Sequence, residues 1–283
     1  MLPTIATALH AARARLARTD TDTDAARLDA EVLLAHVLDK PRSHLCAWPE
    51  RALTPEQATH YAALVARRAG GEPIAHILGR REFWSLDLDV TPATLIPRPE
   101  TELLVELALA RIPADAAPAV ADLGTGTGAI ALAVARERPR CRVTATDRSA
   151  AALEVARRNA ARLGIGGIDF RHGAWYAPLG AGRYDLILSN PPYVRAGDPH
   201  LAQGDVRFEP PGALLAGTDG LDDLRSIVAG APAHLHSGGW LLVEHGYDQG
   251  DAVATLFRAA GFADIGTVRD LNGQPRVTLG RRP

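Results

Sequence analysis

Two cysteines, a single lysine and no long apolar run set the first limits on this 283-residue chain. Cys46 and Cys141 lie far apart and suggest neither a disulfide framework nor a zinc pattern, so both read as small buried fillers. Ten histidines are scattered, and the closest pair, His234 and His236, has no cysteine or carboxylate at ligand spacing, so no metal centre is expected. No stretch approaches the roughly 20 apolar residues of a membrane span, and the first residues lack the basic-then-apolar pattern of a secretory signal. A cytoplasmic location and no membrane partner are therefore expected. A concentrated basic excess is missing as well: the formal net charge is −2, and the first 85 residues carry 11 basic against 10 acidic side chains. A protein that wraps nucleic acid must neutralise many phosphates, so a direct nucleic-acid partner is not expected.

What is present supports a core: 47% of the residues are hydrophobic, enough for one large domain and a small one. The opening portion reads as helices broken by turns. Asp24 can cap a helix carrying Leu28, Val32, Leu34, Val37 and Leu38 to a stop at Lys40-Pro41. Thr54-Pro55-Glu56-Gln57 places a capping threonine, a proline at the first helical position and a glutamine three residues after the cap; Gly70-Gly71 ends that helix. Residues 1–85 thus read as a helical domain with no visible chemistry of its own, suited to recognising a partner, covering a pocket or simply stabilising the chain. Trp84 to Val90 alternates apolar and polar residues, the pattern of a half-buried strand, and residues 86–98 read as a connector. Pro97-Arg98-Pro99 stiffens the entry to a helix in which Glu100 and Glu102 meet the positive end of the dipole, continuing through Leu103, Leu104, Leu107 and Leu109 to Ile112. Residues 99–283 form the third part.

Within it, the short apolar strand Ala119–Leu123 enters Gly124-Thr125-Gly126-Thr127-Gly128, and a helix follows from Ala129. Glycines there let the backbone turn sharply and a ligand approach closely. The next strand, Cys141 to Asp147, ends in a carboxylate 19 residues after Gly128, the place of an acid that accepts hydrogen bonds from ribose hydroxyls. The unit suits an adenosine-containing cofactor. The G-x-G-x-G spacing departs from the G-x-G-x-x-G of dinucleotide sites, and no phosphate-loop lysine is near, so S-adenosyl-L-methionine fits better than a dinucleotide. Trp175 falls just past the strand Ile168–Arg171, where it can cover an adenine ring or fill a gap in the core.

A further buried strand, Leu186 to Ser189, runs into Asn190-Pro191-Pro192-Tyr193. Two prolines cannot continue a ladder or a helix, so the backbone stops there in a fixed extended shape. Asn190 offers a carbonyl and an NH2, the prolines offer carbonyls, and Tyr193 offers a flat wall; such a loop can grip a planar group bearing an NH2.

With Gly124 to Gly128, Asp147 and Asn190 to Tyr193 assembled, the chain resembles the class I S-adenosylmethionine-dependent methyltransferases. More narrowly it resembles the HemK-type enzymes that methylate a glutamine of peptide chain release factors. The segments Ile96 to Glu102, Gly204 to Pro210, Glu244-His245-Gly246 and Arg276 to Gly280 share in the likeness. That resemblance implies an α/β fold: a mostly parallel, Rossmann-like sheet of about seven strands ending in an antiparallel hairpin, with a small N-terminal helical domain on a β-hairpin-like connector. It implies that Gly124, Thr125, Gly126, Thr127, Gly128, Asp147 and Trp175 hold S-adenosyl-L-methionine, with S-adenosyl-L-homocysteine as product. It implies that Asn190, Pro191, Pro192 and Tyr193 hold the target glutamine, Asn190 touching the cofactor as well. Class I release factors are then the protein partners, read by the helical domain, and a monomer is expected. One departure is Ala174, where relatives commonly carry an acidic residue. The rival readings are a nucleic-acid amino-methyltransferase acting on adenine N6 or guanine N2, which presents the same planar NH2, and a partner-binding module with a vestigial cofactor pocket. A hydride-transferring dehydrogenase is disfavoured by the glycine spacing.

Overall fold

The structure, a computed structural model, describes residues 2–18 and 23–283. It divides into two compact units, residues 1–79 with 202–208, and residues 80–201 with 209–283.

The first unit holds α1 (Ile5–Leu16), α2 (Thr23–Leu38), α3 (Arg42–Ala47), α4 (Pro55–Ala69) and α5 (Ile74–Leu78). Its core is aliphatic, with Ile5, Leu16, Leu33, Leu34 and Leu53 almost wholly buried, and the buried Tyr61 hydroxyl donates to the Ala30 carbonyl at 3.0 Å. The capping box at Thr54 and Gln57 is present, with α4 ending at Ala69 as the glycines predict. Asp24 lies inside the first turn of α2 instead of capping it, since the helix already includes Thr23. Cys46 is exposed rather than a core filler, whereas Cys141 is buried.

Residues 202–208 pack with this unit through its charges. Arg68 donates to Asp29 on α2 at 2.7 Å and to Asp205 at 2.8 Å, while Arg207 donates to the Gly70 carbonyl at 3.2 Å. Glycine is favoured at position 71 by its φ of +91°, and its bareness leaves room for the Arg207 guanidinium.

The second unit opens with a hairpin of β1 (Arg80–Phe83) and β2 (Leu86–Asp89). Its turn residues, Trp84 and Ser85, both take positive φ, so the strand expected from Trp84 begins two residues later. Phe83, Leu86 and Leu88 are buried in the core of this unit, which is why the first unit ends at Gly79 and not near Ser85. A 3-10 turn at Pro99–Thr101 leads into α6 (Glu102–Leu109), shorter than the run to Ile112 that the leucines suggest. Glu102 accepts the Trp84 main-chain N–H at 2.8 Å and so ties the hairpin turn to α6.

There follow β3 (Ala119–Leu123), α7 (Ala129–Glu137), β4 (Arg142–Asp147), α8 (Ala150–Leu163), β5 (Ile168–His172), β6 (Tyr184–Ser189), α9 (Asp222–His234), β7 (Leu235–Glu244), α10 (Gly250–Ala259), β8 (Ala263–Arg269) and β9 (Pro275–Arg281). The sheet has seven strands in the order β5-β4-β3-β6-β7-β9-β8; β9 runs antiparallel to both neighbours and the other pairings are parallel. Side chains alternate across it as strand geometry demands. Val120, Leu186, Leu188 and Leu242 pack with α6 and α7 on one face, whereas Ala121, Ile187, Leu241 and Val243 pack with α9 and α10 on the other. Strands covered on both faces read as nearly continuous apolar runs, which is what β3 and β6 show.

Candidate active site

Order β4-β3-β6 places the reversal of strand order beside β3, and ligands of open parallel sheets bind at the carboxyl ends there. Leu123 pairs with Thr146 on one side and with Ser189 on the other. The residues that follow, Gly124, Asp147 and Asn190, therefore emerge side by side from three strand ends. A cleft of about 190 Å3 opens over them, lined by Gly124 to Thr127, Asp147, Trp175, Asn190 and Pro192 among others.

The glycine turn is pinned to β4. Gly124 and Thr125 both donate to the Thr146 carbonyl at 2.9 Å, and Gly126 donates to Asp147 Oδ2 at 2.9 Å. Ser149 donates to the other oxygen at 2.8 Å. Each carboxylate oxygen keeps a second lone-pair site, so Asp147 is aimed and still able to accept from hydroxyl groups. Gly124 (φ +75°) leaves room for the Trp175 indole, whose edge would lie 3.2 Å from a Cβ at that position. Gly126 (φ +56°) has open space where its side chain would be. Such a cradle, with bare main chain, an aimed carboxylate and an indole over one end, fits an adenosyl group.

Gly128 plays another part. It does not line the cleft: a Cβ there would meet Leu132 Cδ1 at 3.1 Å and Ala156 Cβ at 3.2 Å, so its bareness lets α7 approach α8. Pro191 and Tyr193 likewise stand outside the lining, Pro191 buried and Tyr193 partly so. The Tyr193 phenol donates to Glu244 Oε1 at 3.2 Å, and its main-chain carbonyl accepts from Gln249 Nε2 at 3.0 Å. Tyr193 thus fastens the loop through both its phenol and its main chain. Of the loop, Asn190 and Pro192 face the cleft, and Asn190 Nδ2 donates to Thr101 Oγ1 at 3.1 Å.

Four supporting residues were given no role from the sequence, although Glu209 and Glu244 lie in segments that share the family likeness. Asp122, 1% exposed beneath the glycine turn, accepts from Thr125 Oγ1 at 2.6 Å, and burial pushes its carboxyl up to about 7. A lone acid in an apolar strand before a glycine turn is the sign that marks it. Asn159, fully buried on α8, donates to the carbonyls of Asp89 and Thr127 at 3.0 Å each and accepts from Asp89 N at 2.7 Å. Glu209, whose side chain is buried, pairs with Arg98 at 2.5 Å and so holds a guanidinium of the cleft lining. Burial also pushes Glu244 up to about 7, with Glu100 adding to the rise, while Thr101, Arg276 and Tyr193 oppose it.

A family profile described as "PrmC N-terminal domain" matches residues 7–79, and one described as "Methyltransferase small domain" matches residues 100–205. The chain is 57% identical over 260 residues to a release factor glutamine methyltransferase of Pseudomonas aeruginosa, covering 92% of this chain and 94% of that protein. It is 53% identical over 282 residues to one of Vibrio cholerae, covering 99% and 98%. Among solved structures, a methyltransferase from Pyrococcus furiosus matches with a TM-score of 0.54 at 18% identity, over 77% of this chain and 96% of that one, a likeness of fold alone.

Proposed function

The chain belongs to the release factor glutamine methyltransferase family, and from that premise we propose that it transfers a methyl group to a protein glutamine. The acceptor is the side-chain amide nitrogen, N5, of the glutamine in the Gly-Gly-Gln segment of class I release factors. The donor is S-adenosyl-L-methionine, leaving as S-adenosyl-L-homocysteine. The observation that carries this reading is the adjacency of Gly124, Asp147 and Asn190 at three neighbouring strand ends.

Bound there, S-adenosyl-L-methionine supplies a methyl group activated by its positive sulfur. Gly124, Thr125, Gly126 and Thr127 lend bare main chain to its cradle, Asp147 accepts from the ribose hydroxyls, and Trp175 covers the adenine. Gly128 supports the cradle from beneath.

An amide nitrogen is a poor nucleophile because its lone pair is delocalised into the carbonyl. Asn190 spends Nδ2 on Thr101, which leaves Oδ1 to accept one N–H of the target amide. The Pro191 carbonyl accepts the other. Held by both hydrogens, the nitrogen points its lone pair at the methyl carbon, and the two acceptors favour the positive charge that develops on it. The chemistry the donor would supply is methyl transfer onto this nitrogen with the thioether as leaving group, and the nitrogen's surplus proton would pass to water. Pro192 shapes the wall beside it, and Tyr193 keeps the loop in register.

The helical unit is the proposed reader of the release factor. Its boundary at Gly79 coincides with the end of the matched N-terminal profile, which supports treating it as a module.

Incubation with S-adenosyl-L-methionine and a release factor, followed by mass spectrometry of the Gly-Gly-Gln peptide, tests the reading. A single added methyl on that glutamine is expected; methyl found only on nucleic acid overturns it.

A further inference from the structure

Behind the Asn190–Tyr193 loop lies a buried carboxylate that the transfer chemistry does not touch. Glu244 ends β7 and is 1% exposed. Val243 pairs with Ser189 in parallel register, so Glu244 stands level with Asn190 on the neighbouring strand. Its Oε1 accepts from the Tyr193 phenol at 3.2 Å, and its Oε2 has no hydrogen-bond partner. The Thr101 hydroxyl faces the same carboxyl closely enough to lower its pKa, and Thr101 Oγ1 accepts from Asn190 Nδ2 at 3.1 Å. Asn190, Thr101, Glu244 and Tyr193 thus form one chain of polar groups, in which Asn190 and Thr101 line the cleft while Glu244 and Tyr193 stand behind it.

We propose that Glu244 is a positioning residue for methyl transfer, acting through Thr101 to fix which end of the Asn190 amide faces the cleft and through Tyr193 to fasten the loop. The proposal rests on the reading of Asn190 as the acceptor for the target amide.

An ionised carboxylate can only accept hydrogen bonds, and a threonine hydroxyl has one proton to give. Glu244 claims that proton, since an unsatisfied buried carboxylate oxygen is costly. Thr101 Oγ1 can then only accept, so Asn190 must turn its NH2 toward Thr101 and its Oδ1 toward the cleft. With a neutral amide at position 244 this polarity is lost. The amide NH2 can donate to Thr101, whose proton can turn to Asn190 Oδ1, and Asn190 would then present a donor to a substrate that is itself a donor. Arg276 favours the ionised carboxylate and Glu100 opposes it, so measurement at pH 8 keeps Glu244 charged, above the value of about 7 to which burial raises it.

The test compares Glu244→Gln, Thr101→Val, Thr101→Ser, the Glu244→Gln/Thr101→Val double variant and Asn190→Ala, with a release factor as substrate at pH 8. Steady-state kinetics are read beside S-adenosyl-L-methionine affinity by calorimetry. Glu244→Gln and Thr101→Val are each expected to lower kcat by about tenfold to a hundredfold, the cost of a misaimed group, with KM and cofactor affinity within about threefold. The double variant is expected to be no slower than the slower single variant, because both changes break one relay. Thr101→Ser, which keeps the hydroxyl, restores turnover. Multiplying defects in the double variant, or failure of serine to rescue, overturn the relay. Asn190→Ala at wild-type turnover overturns the underlying reading of Asn190 and the proposal with it. Loss in Asn190→Ala beside wild-type kcat in both Glu244→Gln and Thr101→Val overturns the proposal alone. Should Glu244→Gln not fold, the valine and serine variants at position 101 decide.

Discussion

Gly126 donates its main-chain N–H to Asp147 Oδ2 at 2.9 Å, and Ser149 donates to Oδ1 at 2.8 Å, so backbone groups and not a cation aim this carboxylate into the cleft. Asp147→Ala removes the acceptor for two ribose hydroxyls. Hydrogen bonds to charged groups contribute about 1.5–3 kcal/mol each, so losing two is expected to lower cofactor affinity by at least about a hundredfold. Titration calorimetry with S-adenosyl-L-methionine measures it, and unchanged affinity would remove Asp147 from the ribose.

Gly124 and Gly128 belong to one motif but answer to different neighbours. Gly128→Ala forces a Cβ to within 3.2 Å of Ala156 and into a φ of +85°, which is expected to cost about 1–3 kcal/mol of stability. Gly124→Ala presses on the Trp175 indole at 3.2 Å, inside the cleft. Because both glycines have positive φ, +75° at 124 and +85° at 128, the thermal unfolding temperature without ligand should drop for both variants. Cofactor affinity at 15 °C, well below the transition, should drop chiefly for the position-124 variant. Equal losses of affinity would return Gly128 to the cleft.

Arg68 holds two carboxylates from separate segments, Asp29 and Asp205, and is itself mostly buried. Replacing it by leucine leaves Asp29 without its cation and frees residues 202–208 from α4, a loss of about 2 kcal/mol given that Asp205 is partly solvated. Trypsin cleavage after Arg207 should then run several-fold faster than in the unmodified protein. Equal cleavage rates would mean that Arg207 and its bond to Gly70 secure the segment without Arg68.

Much of this site was legible because its signals are local. Gly124 to Gly128 must be glycine-rich for a turn to follow a strand, Asp147 must close the next strand, and Pro191-Pro192 must end a third; sequence spacing alone carries such information. The capping box at Thr54 and Gln57 was legible for the same reason. The contacts of Thr101, Asn159 and Glu244 were not, because their partners lie 89, 70 and 51 residues away in sequence and only the fold brings them together. The Tyr193 bond to Glu244 was not legible for a related reason: whether a phenol meets a buried acid depends on the register of β7 against β6. Gly128 was assigned to the cofactor because a motif does not separate a glycine needed for a ligand from one needed for a neighbouring helix. The short helices α3 and α5 and the 3-10 turns between residues 199 and 213 gave no periodic pattern long enough to read.

Asp122 sets a pH dependence of stability whose sign follows from its burial. In the unfolded chain its carboxyl ionises near the ordinary 3.8, whereas in the folded protein burial holds the proton to about 7. Between those values the folded state binds more protons than the unfolded state, so this group's contribution is fully present below about pH 4 and is lost as pH rises through about 7. Each unit of separation corresponds to about 1.4 kcal/mol. Asp122→Asn keeps an acceptor for the Thr125 hydroxyl and removes the titration. Its unfolding free energy relative to the unmodified protein is therefore expected to rise between pH 4 and pH 7 and to level off above. Carboxylates such as Asp270, whose pKa is lowered against its desolvation by the Gln274 main-chain N–H and then by Arg276, impose the opposite slope on both proteins and cancel in the comparison. Urea titrations of both proteins at pH 4.5, 6 and 8 measure the difference. A difference that stays constant across the three would place the ionised form of Asp122 in the folded protein, and a larger difference at pH 4.5 than at pH 8 would reverse the sign assigned to its burial.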